Sequence, residues 1–250
     1  MKEWLPRRNE YIAETIGREA PPPSRACQLC NEPNSLWWCK NCFGEPSFCT
    51  SCCRDHHSLQ PFHRVKAWNG RHYMDSWLWH AGVEVHVGHG GIKCPTRTRR
   101  LNNATNTPTE LDDPFLEDPF RGLDDPFAVP QVYWSDELQL DRPTGTYHHG
   151  GKVVIIIHTN GVHHLPVHFC ECEGHATEEI QLLRTGLFPS TYKGVRTVFT
   201  MELLDDYLLQ NLECKTSTTH YYSKLWRVTN KAFPSSVPVN IIVSLAYRFS

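Results

Sequence analysis

The alternation of apolar and polar residues predicts β-strands in the second half of the chain. Residues 153–159 and 162–169 are two β-rich runs, and Asn160-Gly161 between them is the two-residue signal of a type I′ hairpin. A shorter alternating run at residues 83–87 predicts another strand. We expect this strand to pair with the hairpin.

Apolar residues at helical spacing predict helices near residues 4–18, 74–81, 178–187, 201–212 and 220–229. The first should end at Gly17 and is followed by a proline spacer, which is typical of a short docking helix. Thr200 is the expected N-cap of the fourth. The apolar face of that helix would consist of Met201, Leu204, Leu208 and Leu212. Together with the strands, these helices predict an α+β fold.

The composition limits the size of any apolar core. The 250 residues include 18 Pro and 15 Gly, which indicates short elements and much irregular backbone. The longest apolar run, residues 153–157, is far shorter than the roughly 18 residues that a membrane span needs. The N-terminus has no apolar signal region. We therefore expect an intracellular protein that does not contact a membrane.

Residues 97–150 differ from the rest of the chain, because Asn, Thr, Pro and Asp dominate them. This composition predicts a disordered insertion. Residues 101–142 hold ten acidic side chains against two arginines, so the formal net charge of −2 combines −8 here with +6 elsewhere. The triplet Asp-Pro-Phe occurs at residues 113–115, 118–120 and 125–127. It resembles short motifs that bind endocytic adaptors, which is one hypothesis for its role.

Cysteines and histidines form the most specific motif. Three Cys-x2-Cys knuckles precede two histidines, and the residues are Cys27 and Cys30, Cys39 and Cys42, Cys49 and Cys52, His57 and His63. In a reducing compartment, such a cluster of thiols indicates a metal site rather than a disulfide framework. A Cys-x2-Cys turn lets two sulfurs bind one Zn²⁺ at about 2.3 Å, so eight ligands suffice for two closed tetrahedral sites.

The short gaps between the knuckles favour a cross-brace, as in B-box, ZZ and RING-like modules. One ion is expected to be bound by Cys27, Cys30, Cys49 and Cys52. The other is expected to be bound by Cys39, Cys42, His57 and His63. Cys53 is an alternative to Cys52, and His56 is an alternative to His57.

A second constellation lies on the two sides of the insertion. If the hairpin pairs with residues 83–87, a Cys₃His site can be closed by His89, Cys94, Cys170 and Cys172. His163 is an alternative ligand, and Cys214 is interpreted as a core residue. The sequence thus predicts three zinc ions in total.

All three predicted sites are filled by four protein ligands, whereas catalytic zinc requires an open coordination position. The sequence also contains no deaminase signature, Gly-rich phosphate loop, nucleophile elbow or His-Glu-x2-His motif. We therefore expect a protein without enzymatic activity and without a small-molecule substrate.

Further motifs resemble fungal KDZ (Kyakuja-Dileera-Zisupton) transposases. In the first half these are Arg8-Asn9-Glu10-Tyr11-Ile12, Trp38-Cys39-Lys40-Asn41-Cys42-Phe43-Gly44, Phe48-Cys49-Thr50-Ser51-Cys52-Cys53-Arg54-Asp55-His56-His57 and Pro61-Phe62-His63-Arg64-Val65. In the second half, similarity to the CxC2-like cysteine-cluster domain associated with those transposases is carried by Gly88-His89, Cys94-Pro95, Asn160-Gly161-Val162-His163, Phe169-Cys170-Glu171-Cys172, Gln181-Leu182-Leu183-Arg184 and Phe188-Pro189-Ser190-Thr191.

The resemblance implies a cysteine cluster that, in the family, precedes an RNase H-like catalytic domain. This chain ends at Ser250, before such a domain would begin, so we expect a truncated or domesticated relative that acts in the nucleus. The expected parts are an N-terminal helix and spacer (1–25), a double-zinc cross-brace (26–70), a CxC2-like domain (71–96 and 151–200), the disordered insertion (97–150) and C-terminal helices that begin a transposase-like region (201–250).

Two functions are consistent with these features. The first is a non-catalytic, zinc-dependent module that binds DNA or assists transposition. Its candidate phosphate contacts are Arg64, Lys66, Arg71, Arg97, Arg99 and Arg100. The second is a protein-interaction module of B-box or ZZ type, with a link to ubiquitin as one form of it.

Overall fold

The fold combines helices with two β-sheets, so the predicted α+β class is confirmed. A computed structural model describes residues 4–20, 24–33, 35–104, 147–148 and 151–230. The helices in these ranges are α1 Arg8–Gly17, α2 Thr50–His57, α3 Pro95–Ala104, α4 Glu178–Arg184, α5 Met201–Cys214 and α6 Thr218–Thr229. The strands are β1 Trp37–Cys39, β2 Ser47–Phe48, β3 Val65–Trp68, β4 Tyr73–Ser76, β5 Val85–Val87, β6 Tyr147–His148, β7 Gly151–His158, β8 Gly161–Phe169, β9 Leu187–Pro189 and β10 Thr197–Thr200.

The first sheet has the strand order β2-β1-β3-β4 and is antiparallel throughout. One of its faces packs with α2 on a small core that includes Trp37, Phe48 and Val65. The helix predicted at residues 74–81 is wrong, because β4 pairs Met74 with Ala67 of β3 and only Leu78–Ala81 form a 3₁₀ turn. The four-residue spacing of Met74 and Leu78 suits a helix, but the tight turn at Gly70, with φ of +94°, directs the chain back along β3.

The second sheet has the order β5-β8-β7-β10-β9, with β6 also paired to β7. Its centre is the predicted hairpin of β7 and β8, which is confirmed. The predicted turn type is wrong. His158 pairs with Gly161, so Thr159 and Asn160 are the turn residues, and neither has the positive φ that a type I′ turn needs.

The upstream strand β5 pairs with the hairpin, as expected. Its partner is β8, to which it runs parallel, with Val87 opposite Phe169. One face of the sheet packs on a core that includes Val154, Ile156 and Leu182 of α4. The opposite face packs on α5 and α6 through a separate core, which includes Ile157, Phe199, Leu203, Tyr221 and Leu225. Helices α5 and α6 therefore pack on the same sheet as the hairpin.

Several predictions about the C-terminal half need correction. Thr200 does cap α5, since its hydroxyl accepts a hydrogen bond from the Leu203 amide. The predicted apolar face is wrong, however, because the buried residues of α5 are Leu203 and Tyr207, whereas Leu208 and Leu212 are exposed. Both stripes have a four-residue spacing, and the sequence alone did not distinguish them. Cys214, interpreted as a core residue, is exposed at the end of this helix.

Helix α4 ends at Arg184, three residues earlier than predicted, because Gly186 with φ of +79° turns the chain into β9. The prediction of disorder from residue 97 is also wrong at its start. Residues 97–104 belong to α3, in which the Thr98 amide donates to the carbonyl of Cys94. On the other side of the insertion, β6 pairs with β7. The Asp-Pro-Phe triplets lie outside the described residues.

Helix α1 exists and ends at Gly17 as predicted, but none of its residues is buried. The residue that follows the helix, Arg18, forms an ion pair with Glu45 in the loop between β1 and β2, at 3.0 Å. Across the described ranges, no helix has both the length and the apolar character that crossing a bilayer requires.

The two sheets are joined where the loop before β3 meets the hairpin turn. The Asn160 side-chain amide donates to the Phe62 carbonyl at 2.6 Å. The Arg64 guanidinium lies over the ring of Trp77 and donates to the Thr229 carbonyl at 2.5 Å and to the Asn160 carbonyl at 3.4 Å. This joint ties the cysteine-rich half to both the hairpin and the end of α6.

Candidate metal centres

The structure brings the predicted ligands together in three clusters, and within each cluster the ligand atoms lie within 4.8 Å of one another. The first cluster contains Cys27, Cys30, Cys49 and Cys52. Cys27 and Cys30 lie in a turn before β1, and Cys49 is the N-cap residue of α2. The Cys30 and Cys49 sulfurs are 3.7 Å apart. Two sulfurs bound tetrahedrally to one Zn²⁺ would be about 3.8 Å apart, whereas a disulfide requires about 2.05 Å.

Backbone amides also favour thiolate in this first cluster. Burial raises the pKa of the Cys27 thiol, but hydrogen bonds from the Cys30, Cys49 and Leu29 amides outweigh burial and lower the pKa to about 6. Since the thiolate is the form that binds a metal, the loop prepares Cys27 as a ligand.

The second cluster contains Cys39, Cys42, His57 and His63. Cys39 ends β1, and His57 is the last residue of α2. The His57 Nε2 atom is 3.3 Å from the Cys39 sulfur, and the His63 Nδ1 atom is 3.3 Å from the Cys42 sulfur. Burial and the adjacent Cys39 raise the pKa of Cys42 to about 12. A divalent cation among these sulfurs would relieve their mutual repulsion.

A backbone carbonyl orients His57 for metal binding. The His57 Nδ1 atom is 2.8 Å from the Cys53 carbonyl oxygen, which can only accept a hydrogen bond, so Nδ1 carries the proton. The lone pair of Nε2 then points into the cluster, an arrangement that is usual for histidine ligands. Burial lowers the pKa of His57 to about 4, which keeps the imidazole neutral.

The two alternative ligands occupy different positions. Cys53 is buried in the core of the first sheet, with its sulfur 3.8 Å from His57 Nδ1. His56 is exposed, and its Nε2 atom is 3.5 Å from the Cys42 sulfur. Neither belongs to the four-residue groups. Helix α2 thus carries Cys52 of one cluster and His57 of the other, so the two clusters interleave along the chain.

The third cluster contains His89, Cys94, Cys170 and Cys172. It forms because the parallel pair β5 and β8 ends at Val87 and Phe169, which places the two following loops side by side. The His89 Nε2 atom lies 3.2 Å from the Cys170 sulfur, and the Cys94 and Cys172 sulfurs are 3.7 Å apart. These distances again match the edges of a tetrahedral zinc site.

Two backbone amides lower the pKa of a cysteine in the third cluster, and two arginines bind the loop that carries two of its members. Burial raises the pKa of Cys94, but the amides of Glu171 and Arg97 outweigh burial and lower the pKa to about 6. The Glu171 carboxylate accepts from Arg100 at 2.7 Å and from Arg97 at 3.5 Å. Helix α3 is therefore tied to the loop that carries Cys170 and Cys172.

His163, the alternative ligand for the third cluster, lies elsewhere. It is buried near the hairpin turn, with Nε2 2.8 Å from the side-chain oxygen of Asn160. The hairpin turn and the third cluster are at opposite ends of β8, so His163 is a packing residue. All eleven cysteines lie in described residues and all are free thiols.

The basic residues proposed as phosphate contacts are not equivalent. Arg64 lies at the joint between the sheets, where its Nη1 and Nη2 atoms donate to backbone carbonyls. Arg97 and Arg100 pair with Glu171. Arg71 and Arg99 are exposed. Lys66 lies 5.4 Å from the centroid of the Trp38 ring, and so does Lys40, a residue that the sequence reasoning did not single out.

Fold and clusters together define an α+β protein whose cysteine and histidine residues form three four-residue groups able to hold metal ions. The family model described as the CxC2-like cysteine cluster associated with KDZ transposases matches residues 139–232. The resemblance inferred from the motifs is thus confirmed over this segment, which includes Cys170, Cys172 and both C-terminal helices. No curated protein and no solved structure gives a significant match.

Proposed function

We propose that the three clusters hold three zinc ions and that these ions are structural. Cys₄, Cys₂His₂ and Cys₃His are the ligand sets of structural zinc, and four protein ligands leave no position open for catalysis. The interleaved first two sites would make residues 26–70 a cross-brace module of the B-box, ZZ or RING-like kind. The measured distances between the ligand atoms are the observation that carries this proposal.

On this scaffold, the function that the surface supports best is non-catalytic nucleic-acid binding, in keeping with an accessory role in transposition. Lys40 and Lys66 each lie 5.4 Å from the centroid of the Trp38 ring, which they help to cover, since only 6% of Trp38 is exposed. Tyr73 also packs on Trp38, with ring centroids 5.2 Å apart, and Arg71, between β3 and β4, is exposed. We call this the Trp38 face. Ammonium groups beside aromatic rings suit phosphate contacts, and such binding would take place in the nucleus.

The Trp38 face is tested by charge reversal. The double variant Lys66→Glu and Arg71→Glu should weaken binding to a random-sequence DNA duplex and reduce the salt dependence, because each lost phosphate contact lowers the slope by about one. Fluorescence anisotropy at several salt concentrations measures both effects. The double variant Lys193→Glu and Arg196→Glu, at two exposed positions in the loop before β10, changes the net charge by the same amount and is the matched control, which should have less effect. Equal loss in both variants would show that only net charge matters and would contradict the Trp38 face.

A second candidate, protein interaction, is favoured by a different surface. Three apolar side chains beside the zinc knuckles are exposed, namely Leu29, Phe43 and Leu59, and Phe43 is fully accessible. Exposed apolar side chains that lie close together are typical of protein-binding sites, and Leu29 and Phe43 line the same surface pocket. If wild-type protein shows no salt-dependent DNA binding, this surface becomes the leading candidate, and Phe43→Ser is the variant to compare in partner-binding assays.

A further inference from the structure

Gln181 of α4 is a buried polar residue beside the third cluster. Only 4% of it is exposed, and it lies one residue before Leu182 in the core of the second sheet. A buried side-chain amide must satisfy both its donors and its acceptor within the protein, since leaving them unpaired is costly. The hydrogen bonds of the Gln181 side chain therefore indicate its structural role.

The side-chain amide of Gln181 bonds both the backbone N–H and the backbone carbonyl of one predicted metal ligand, Cys170. The Cys170 amide donates to the side-chain oxygen of Gln181 at 2.7 Å. The Gln181 side-chain nitrogen donates to the Cys170 carbonyl at 3.2 Å and to the Ala176 carbonyl at 2.7 Å. The same two bonds to Cys170 would be made by a neighbouring strand. Gln181 thus replaces β5, whose pairing with β8 stops at Phe169.

Gly88 leaves the room that this arrangement needs. A Cβ atom at Gly88 would lie 3.0 Å from the Cys170 Cβ and 3.7 Å from the Gln181 side-chain oxygen, and the φ of Gly88 is +118°. A larger residue would push the Cys170 loop away from His89. Gly88 therefore leaves open the space in which the Gln181 side chain and Cys170 meet.

We propose that Gln181 is a positioning residue of the third metal site, fixing the Cys170 loop so that its sulfur faces His89 and Cys94. By also bonding Ala176, it closes the loop from Cys170 to Ala176 and couples metal binding to helix α4. The inference rests on the proposed function, namely that this cluster holds zinc. Removing an outer partner of a metal ligand weakens metal affinity by about 10- to 100-fold.

The test compares zinc affinities in the full chain. Gln181→Leu removes all three side-chain hydrogen bonds at similar size, and Gln181→Met removes them while keeping an unbranched side chain of the same length. Thr185→Val is the matched control, because the Thr185 hydroxyl bonds only backbone carbonyls of α4. Competition with a colorimetric chelator should show three tightly bound ions in wild type and in the control. Gln181→Leu should weaken one ion about 10- to 100-fold and leave two unchanged, with a similar effect for Gln181→Met.

The number of bound ions tests the third zinc site, and the affinity of the third ion tests the role of Gln181. Wild type that binds two ions overturns the third zinc site, and the role of Gln181 with it. Three ions of unchanged affinity in Gln181→Leu would leave the zinc site standing and overturn the positioning role. If Gln181→Leu does not fold, Gln181→Met decides, because unchanged affinity of its third ion, or equal weakening of all three, contradicts specific positioning.

Discussion

The guanidinium of Arg64 donates a hydrogen bond to the carbonyl of Thr229, although 165 positions separate the two residues. Arg64 directly follows His63, a member of the second cluster, and its own amide donates to the Asn41 side chain in the knuckle at 2.7 Å. A single residue therefore links the second metal cluster to the end of α6. Metal binding in one half of the chain and helix packing in the other should be coupled through it.

Arg64→Lys should destabilise the protein by about 1–3 kcal/mol, because a lysine cannot bond the Thr229 and Asn160 carbonyls together while covering Trp77. Urea unfolding gives the change in free energy. Arg71→Lys, at an exposed position, is the control and should stay within about 0.5 kcal/mol. Equal stabilities for the two variants would mean that the joint contributes nothing.

Gly161→Ala should disrupt the same joint from the hairpin side. A Cβ atom there would lie 2.6 Å from the Thr229 hydroxyl and 2.8 Å from Arg64 Nη1, and the φ of Gly161 is +128°. We expect a loss of about 2–4 kcal/mol, from overpacking and backbone strain together. Gly174→Ala has positive φ but no atom within 4 Å, so it isolates the strain and should cost about 1 kcal/mol. If thermal unfolding shows similar losses of stability for Gly161→Ala and Gly174→Ala, the close approach of Gly161 to Thr229 and Arg64 is not important.

The sequence predicted what depends on local spacing and missed what depends on distant packing. The knuckles fix pairs such as Cys27 and Cys30 by their two-residue gap, and the hairpin follows from two β-rich runs around Asn160-Gly161. Strand β5 then had one plausible partner, which placed His89 near Cys170. Each of these inferences uses residues that are close in the chain or in adjacent strands.

Other errors share one cause. Arg64 was a candidate phosphate contact because of its charge, and its role at the joint was missed because its partners are 96 and 165 positions away. The buried stripe of α5 and the exposure of Cys214 depend on how the helix lies on the sheet. Gln181 carried a weak signal, a polar residue beside Leu182 in a predicted amphipathic helix, which only the fold makes interpretable.

The ligand alternatives in the second cluster can be separated by paired variants. His57→Ala should release one zinc ion and unfold the first sheet region, because structural zinc binding contributes about 10–16 kcal/mol, more than the stability of a typical domain. His56→Ala should keep the ion and change stability by about 0.5 kcal/mol or less. The zinc content and circular dichroism of both variants are measured. Loss of zinc in His56→Ala but not in His57→Ala would mean that His56 is the ligand.

Two adjacent tyrosines should respond differently to alkaline pH and to substitution. Burial raises the pKa of Tyr222, and its hydroxyl has no partner among the described residues. Burial, and then the hydrogen bond to Asp206 at 2.6 Å, raises the pKa of Tyr221. Tyr222→Phe should therefore be neutral or stabilising, whereas Tyr221→Phe should cost about 1 kcal/mol.

The sign of the pH dependence follows from these raised pKa values. Both tyrosines are neutral in the two states below the unfolded pKa of about 10, so their contribution is fully present there. Above it, the unfolded chain loses the protons first, and stability falls by about 1.4 kcal/mol per pH unit for each tyrosine. Urea unfolding between pH 8 and 11 should show this fall, and a smaller one in Tyr222→Phe. An unchanged slope in that variant would contradict the burial of its hydroxyl.

If the three closed clusters are zinc sites, the purified full chain should carry one zinc ion in each of them. Native mass spectrometry, with elemental analysis of the same sample, counts the ions bound to protein prepared without added metal. We expect three zinc ions per chain, with all eleven thiols reduced. Two ions would contradict the assignment of three sites, and one ion or none, with the thiols intact, would also contradict the cross-brace.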